Sequence, residues 1–202
     1  MKVQLLESKL FVYGDEIVAK GSALGDMIFD IDSNARNSAQ IGCGVDTQLE
    51  ILFNELKQSK NQKAIFVITD LFRFNFNFFK MQDQYIAPFC RTHDSLKTLS
   101  RETWVENAKH VPFITDFFKK VVDVPSEFEQ KKLLIILSTL IALSHNFKKL
   151  LIINRGHKLV LENFLIPANI NIIETNAASE IANNNYDENL KKIIKKWIKL
   201  DN

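Results

Sequence analysis

The spacing of apolar residues changes period several times along this chain, and each change predicts an element. Residues 2–20 alternate apolar and polar around Tyr13-Gly14-Asp15, which predicts a β-hairpin turning at Gly14-Asp15. Met27-Ile28-Phe29 then runs into Asp30-Ile31-Asp32-Ser33-Asn34, read as a strand over 27–32 that ends in clustered side-chain oxygens. Leu49, Leu52, Phe53 and Leu56 fall at i, i+3, i+4 and i+7, the stripe of a helix, with Asp46 or Thr47 placed to cap it. Ala64-Ile65-Phe66-Val67-Ile68 is a strand apolar on both faces. In Phe72–Phe78 every second residue is Phe, a half-exposed strand whose simplest place is antiparallel beside 64–68.

Residues 84–123 keep a helical period, enough for two short helices with loops. Ser126-Glu127-Phe128-Glu129 has the form of a capping box and opens a helix over 127–146. That helix is apolar nearly all round, so burial on more than one side is expected. A strand at Leu150–Ile153, a helix at 157–165, a strand at Ile170–Ile173 and a C-terminal helix complete the chain. The last helix has Leu190, Ile193, Ile194, Trp197 and Ile198 on its inner side, with Lys191, Lys192, Lys195, Lys196 and Lys199 outside.

Strands separated by helices need crossovers, so the predicted fold class is α/β. The expected architecture is a three-layer α/β/α sandwich with a mostly parallel sheet and an antiparallel edge strand. One domain spans 1–202, an N-terminal hairpin at 1–20 preceding a core at about 26–199. With 46% apolar and 25% charged residues the composition is that of a soluble globular chain. A net charge of +2 advertises neither a nucleic-acid nor a membrane partner, and direct nucleic-acid binding is not expected. Cys43 and Cys90 have no metal-ligand spacing and suit a reducing, intracellular compartment. The N-terminus lacks the pattern of a signal peptide, and the apolar run Leu133–Leu143 is too short to span a bilayer.

The order of elements resembles a von Willebrand factor A-type domain, in which the first strand ends in a metal-binding D-x-S-x-S. On that resemblance Asp30, Asp32 and Ser126 would be the metal ligands, with Pro125-Ser126 at the threonine loop and Asn154-Arg155-Gly156 where T-D-G would stand. Arg155 would put a cation where the family has a carboxylate, a repulsion of several kcal/mol at an effective dielectric of ~20. The metal site is therefore expected to be degenerate and empty, with Arg155 paired to Asp30 or Asp32 instead. Asp32-Ser33-Asn34, the passage from Ala142–His145 into Leu150–Ile153, and Ile181-Ala182 with Tyr186 are similar to the smaller von Willebrand A-like subunits of the transcription and DNA-repair factor TFIIH. That likeness implies a non-enzymatic scaffold subunit of a nuclear assembly, with other protein subunits as partners and no cofactor.

A second motif points elsewhere. Ile41-Gly42-Cys43-Gly44-Val45-Asp46-Thr47 resembles the glycine loop of S-adenosylmethionine-dependent methyltransferases. Gly42, Gly44 and Asp46 would then bind the cofactor, with Asp70 placed for its ribose. The polar stretch Asn34–Gln40 before Gly42 does not suit the buried strand that such a loop follows. The plainer reading is a loop whose Asp46 caps a helix. His93, His110, His145 and His157 belong to no recognisable nucleophile motif, and no catalytic residue is assigned.

Overall fold

A computed structural model of the chain describes residues 10–14, 18–19, 21–39, 44–58, 62–68, 71, 125–155, 164–175 and 188–199. In chain order the elements are β1 (Leu10–Tyr13), α1 (Ala23–Ile31), β2 (Arg36–Asn37), α2 (Val45–Leu56), β3 (Gln62–Ile68), α3 (Pro125–Ala142), a 3-10 turn (Ser144–Asn146), β4 (Phe147–Arg155), β5 (Ile170–Thr175) and α4 (Glu188–Lys199). The five strands form one all-parallel sheet in the order β2-β1-β3-β4-β5.

All seven residues of β3 are buried, as befits a strand covered on both faces and flanked on both edges. Side chains alternate between the faces. Phe11, Tyr13, Ala64, Phe66, Ile68, Leu150 and Ile152 lie on one face with Val45, Leu52 and Leu56 of α2 and Leu133, Ile136, Leu137 and Leu140 of α3. Leu10, Val12, Ile65, Val67, Leu151 and Ile153 lie on the other, against Leu24 and Ile28 of α1 and Leu190, Ile194, Trp197 and Ile198 of α4.

The strand expected over 27–32 is a helix. Ser22 caps α1 by accepting from the Gly25 amide at 3.0 Å, and Leu24 and Ile28 turn inward four residues apart. Asp26 in the first turn accepts from the Gly21 amide at 2.9 Å, and Gly21 takes a positive φ of 90° that favours glycine. The N-terminal hairpin also meets an obstacle, because β1 is paired in parallel with β2 on one side and β3 on the other. The same holds for the antiparallel neighbour expected beside 64–68, since β1 and β4 take both edges of β3. Residues 72–78 themselves lie outside the described residues, as do 84–123 and most of the helix expected over 157–165, of which 164–165 have no regular structure.

Helices α2, α3 and α4 and strands β3, β4 and β5 stand where the periodicity puts them. Two details differ. Helix α3 starts at Pro125, a favourable first residue because it has no N–H to leave unsatisfied, so Ser126 falls within the helix and not at its cap. And α3 buries one side only: Leu134 and Ile135 are 52% and 63% exposed, just as Ile193 of α4 faces outward and not inward.

Candidate functional site

From β1 the chain moves outward to β2, then returns across β1 to β3. The reversal puts the topological switch point at the carboxyl ends of β1 and β3, the position where open parallel sheets bind their ligands. Gly14 opens the loop there. A Cβ at this position would collide with Val18 Cγ2 and lie 3.1 Å from Val67 Cβ, so a side chain does not fit between the loop and β3. The Gly14 amide donates to Gln48 Oε1 of α2 at 2.9 Å. Gln48 is fully buried, and among the described residues its Nε2 has no hydrogen-bond acceptor.

Helix α2 begins beside this edge, with Gly44 as a cap that supplies no side-chain hydrogen bond. Asp46 in its first turn is joined to the nearly buried Lys132 of α3 at 2.7 Å, tying the two helices on this face together. Asn154, fully buried, and Arg155 end β4 at the same edge, and Thr175 Oγ1 donates to the Asn154 carbonyl at 3.4 Å.

A second polar cluster holds the β2 side of the sheet. Glu55, in the last turn of α2, accepts from Tyr13 OH at 2.7 Å and Ser38 Oγ at 2.8 Å, and pairs with Arg36 at 2.8 Å. The Arg36 guanidinium also stands 5.9 Å over the Phe11 ring, which stacks on Tyr13. Burial first, and then the bond and charge of Glu55, push the Tyr13 phenol far above its ordinary value. Tyr13 thus stays protonated and serves as a fixed donor, a lock between β1, β2 and α2.

The residues singled out in sequence are not gathered into one place. Asp30 is exposed on α1, and Asp32 is its C-cap, with Oδ1 accepting from the Asn34 amide at 3.0 Å. They end a helix, not a strand, and α1 carries them back to the amino edge of the sheet. Arg155 lies at the opposite, carboxyl edge, so the ion pair expected between it and Asp30 or Asp32 does not suit the topology. Of Ser126 the structure describes the backbone alone, in the first turn of α3. Among the described residues no group of three or more His, Cys, Asp or Glu could hold a metal ion. For the methyltransferase motif, Gly44 and Asp46 stand at the start of α2, while Gly42 and Asp70 lie outside the described residues. The strand before that motif is β2, two half-exposed residues at the sheet edge. His145 is exposed, with Nδ1 3.0 Å from the Ala142 carbonyl.

Sequence reading missed Gln48, Glu55, Tyr13 and Lys132. The signal for two of them was present: Gln48 and Glu55 interrupt the inward face Val45, Leu52 and Leu56 of α2, and a polar residue on an apolar stripe must find a buried partner. No helix among the described residues is long and apolar enough to cross a membrane. Comparison with family models, with curated proteins and with solved structures finds no match to this chain.

Proposed function

We propose that this chain is a non-enzymatic protein-interaction subunit of a multiprotein assembly, built as a three-layer α/β/α sandwich that docks a protein partner through an outer helix. The observation that carries this reading is the pair Leu134 and Ile135, side by side and more than half exposed in the middle of the 18-residue α3. The core does not need them, because Leu133, Ile136, Leu137 and Leu140 already cover the sheet beneath. Exposed Gln130, Lys131 and Ser138 surround the pair, and an apolar patch with a polar rim suits a partner surface. Phe53, 44% exposed, adds a further apolar side chain on α2, the other helix on this side of the sheet. The narrower expectation of a TFIIH-like, nuclear assembly rests on sequence resemblance, and one of its supports, Asp32-Ser33-Asn34, follows a helix and not a strand.

The test is size-exclusion chromatography of the native protein from cell extract, beside the variant Leu134→Glu/Ile135→Glu. The reading expects the wild type to elute in a defined complex and the variant to elute alone. A wild type that runs as a monomer, or a variant that keeps the complex, would sink it.

A second reading is favoured by the buried Gln48 amide at the switch point. An enzyme binding a small molecule at the carboxyl edge would place a ligand acceptor against Gln48 Nε2, with S-adenosylmethionine as the first candidate because Gly44 and Asp46 border that edge. A ligand at 100 times its dissociation constant stabilises by about 2.7 kcal/mol. A rise in Tm with S-adenosylmethionine, abolished in Gly44→Val, would favour the enzyme over the scaffold; an unchanged Tm removes it.

A further inference from the structure

One helix accounts for the net positive charge of this chain. Of the 26 Lys and Arg and 24 Asp and Glu in the chain, α4 holds five lysines and one acid, Glu188, which leaves the rest with a net charge of −2. Lys192, Lys195, Lys196 and Lys199 are all exposed. Their helix is firmly seated: Leu190, Ile194, Trp197 and Ile198 are buried, Trp197 Nε1 donates to Asn171 Oδ1 of β5 at 3.1 Å, and the nearly buried Lys63 of β3 donates to the Ile198 carbonyl at 3.2 Å. Lys63 is thus a further cation at the carboxyl end of α4, where it complements the helix dipole.

We propose that this outer face of α4 binds the phosphate backbone of nucleic acid without reading base sequence. At 1.5 Å per residue the four lysines form a row about 10 Å long on one side of a rigid helix. Duplex DNA carries one negative charge per ~1.7 Å of its axis, so the row meets several phosphates at once. Lysines three and four apart on the same face repel one another, and a polyanion relieves that repulsion. A basic row along a helix is the electrostatic footprint expected of backbone binding. A bilayer is the poorer match, because an interfacial helix inserts its apolar side and that of α4 is already occupied by the core. The exposed acids Asp26 and Asp30 on α1, which packs against α4, oppose the field and limit the footprint to these four lysines. A net charge of +2 averaged over the chain conceals this segregation, which is why the sequence alone argues against such a partner.

The test is fluorescence anisotropy of a labelled duplex of about 20 base pairs titrated with the full chain between 50 and 300 mM KCl. Four phosphate contacts predict a log–log slope of about −3 to −4 against salt and a dissociation constant in the range of roughly 10⁻⁴ to 10⁻⁶ M at physiological salt, equal for unrelated sequences. Lys192→Glu/Lys195→Glu/Lys196→Glu/Lys199→Glu should weaken binding at least tenfold, while Lys57→Gln, at the C-cap of α2 on the other face, should stay within twofold. Circular dichroism checks that each variant is folded, and Lys192→Gln/Lys195→Gln replaces the fourfold variant if that fails. The proposal is overturned if the wild type does not bind at 50 mM KCl, if the α4 variants bind as tightly as wild type, or if the Lys57 control weakens binding as much as they do. Binding to phosphatidylserine vesicles without binding to duplex would also overturn it.

Discussion

The Tyr13 hydroxyl donates to Glu55 Oε2 at 2.7 Å, linking β1 to the end of α2 across 42 positions of sequence. Both residues are buried, and the contact joins a strand beside the switch point to the helix that returns from the sheet edge. Truncation to Phe removes one charge-assisted hydrogen bond and leaves Ser38 and Arg36 on the carboxylate. Tyr13→Phe should therefore cost about 1–2 kcal/mol at pH 7. Urea unfolding measures it, and an unchanged midpoint would show that the contact contributes nothing.

The pH dependence follows from the raised phenol. The folded protein holds the Tyr13 proton to higher pH than the unfolded chain, whose phenol titrates near 10.0. Stability from this group is fully present below about pH 10 and is lost as pH rises beyond it, by at most ~1.4 kcal/mol per pH unit. Unfolding curves from pH 8 to 11 should steepen in their decline above 10 for wild type. In Tyr13→Phe that extra decline should be missing, and parallel curves for the two proteins would contradict the assignment.

Glu55→Ala should be the more damaging change, at about 2–4 kcal/mol, because it strands the buried Tyr13 hydroxyl as well as removing the acceptor of Ser38. Arg36→Ala should cost under about 1 kcal/mol, since that side chain is 58% exposed and water already screens its charge. Equal losses in chemical denaturation would mean that the ion pair, and not the tyrosine, is what Glu55 supports.

Gly14→Ala inserts a Cβ against Val18 and Val67 and should lower stability by about 1–3 kcal/mol through overpacking. Thermal unfolding of the variant gives the answer. A Tm equal to wild type would mean that the loop after β1 yields without cost.

Adjacent residues of α3 should behave oppositely. Ile136→Ala opens a cavity under the sheet and should cost about 2–5 kcal/mol, whereas Ile135→Ala, one position along and 63% exposed, should stay within about 0.5 kcal/mol. Similar losses at both positions would show that the outer side of α3 is covered within the folded chain.

Much of the fold was legible wherever a periodic run was long. The stripe of α2 and the two-sided pattern of α4 extend far enough to show a period of 3.6, while β3 and β4 are short unbroken apolar runs marked as strands by their length and β-branched residues. Met27-Ile28-Phe29 is too short for that. Three apolar residues between acids fit either period, and the capping Ser22 with Leu24 and Ile28 four apart was the better guide to α1. Placing Asp30 and Asp32 at a strand end followed from that one misreading, and with it the geometry of the expected metal site.

Local spacing is enough to say which segments are apolar enough to be buried and how most of them coil or extend. It also carries the polar breaks at Gln48 and Glu55 that announce buried partners. Which strands lie side by side is a matter of long-range packing. Phe11-Val12-Tyr13 pairs as readily with a hairpin arm as with a distant strand, and the choice falls to β3, in register Phe11↔Ala64 through Tyr13↔Phe66. That pairing sets the switch point, brings Tyr13 to Glu55 and Gly14 to Gln48, and turns one side of α3 outward. Strand neighbours are chosen by burial summed over the whole sheet, and no window of the chain contains that sum.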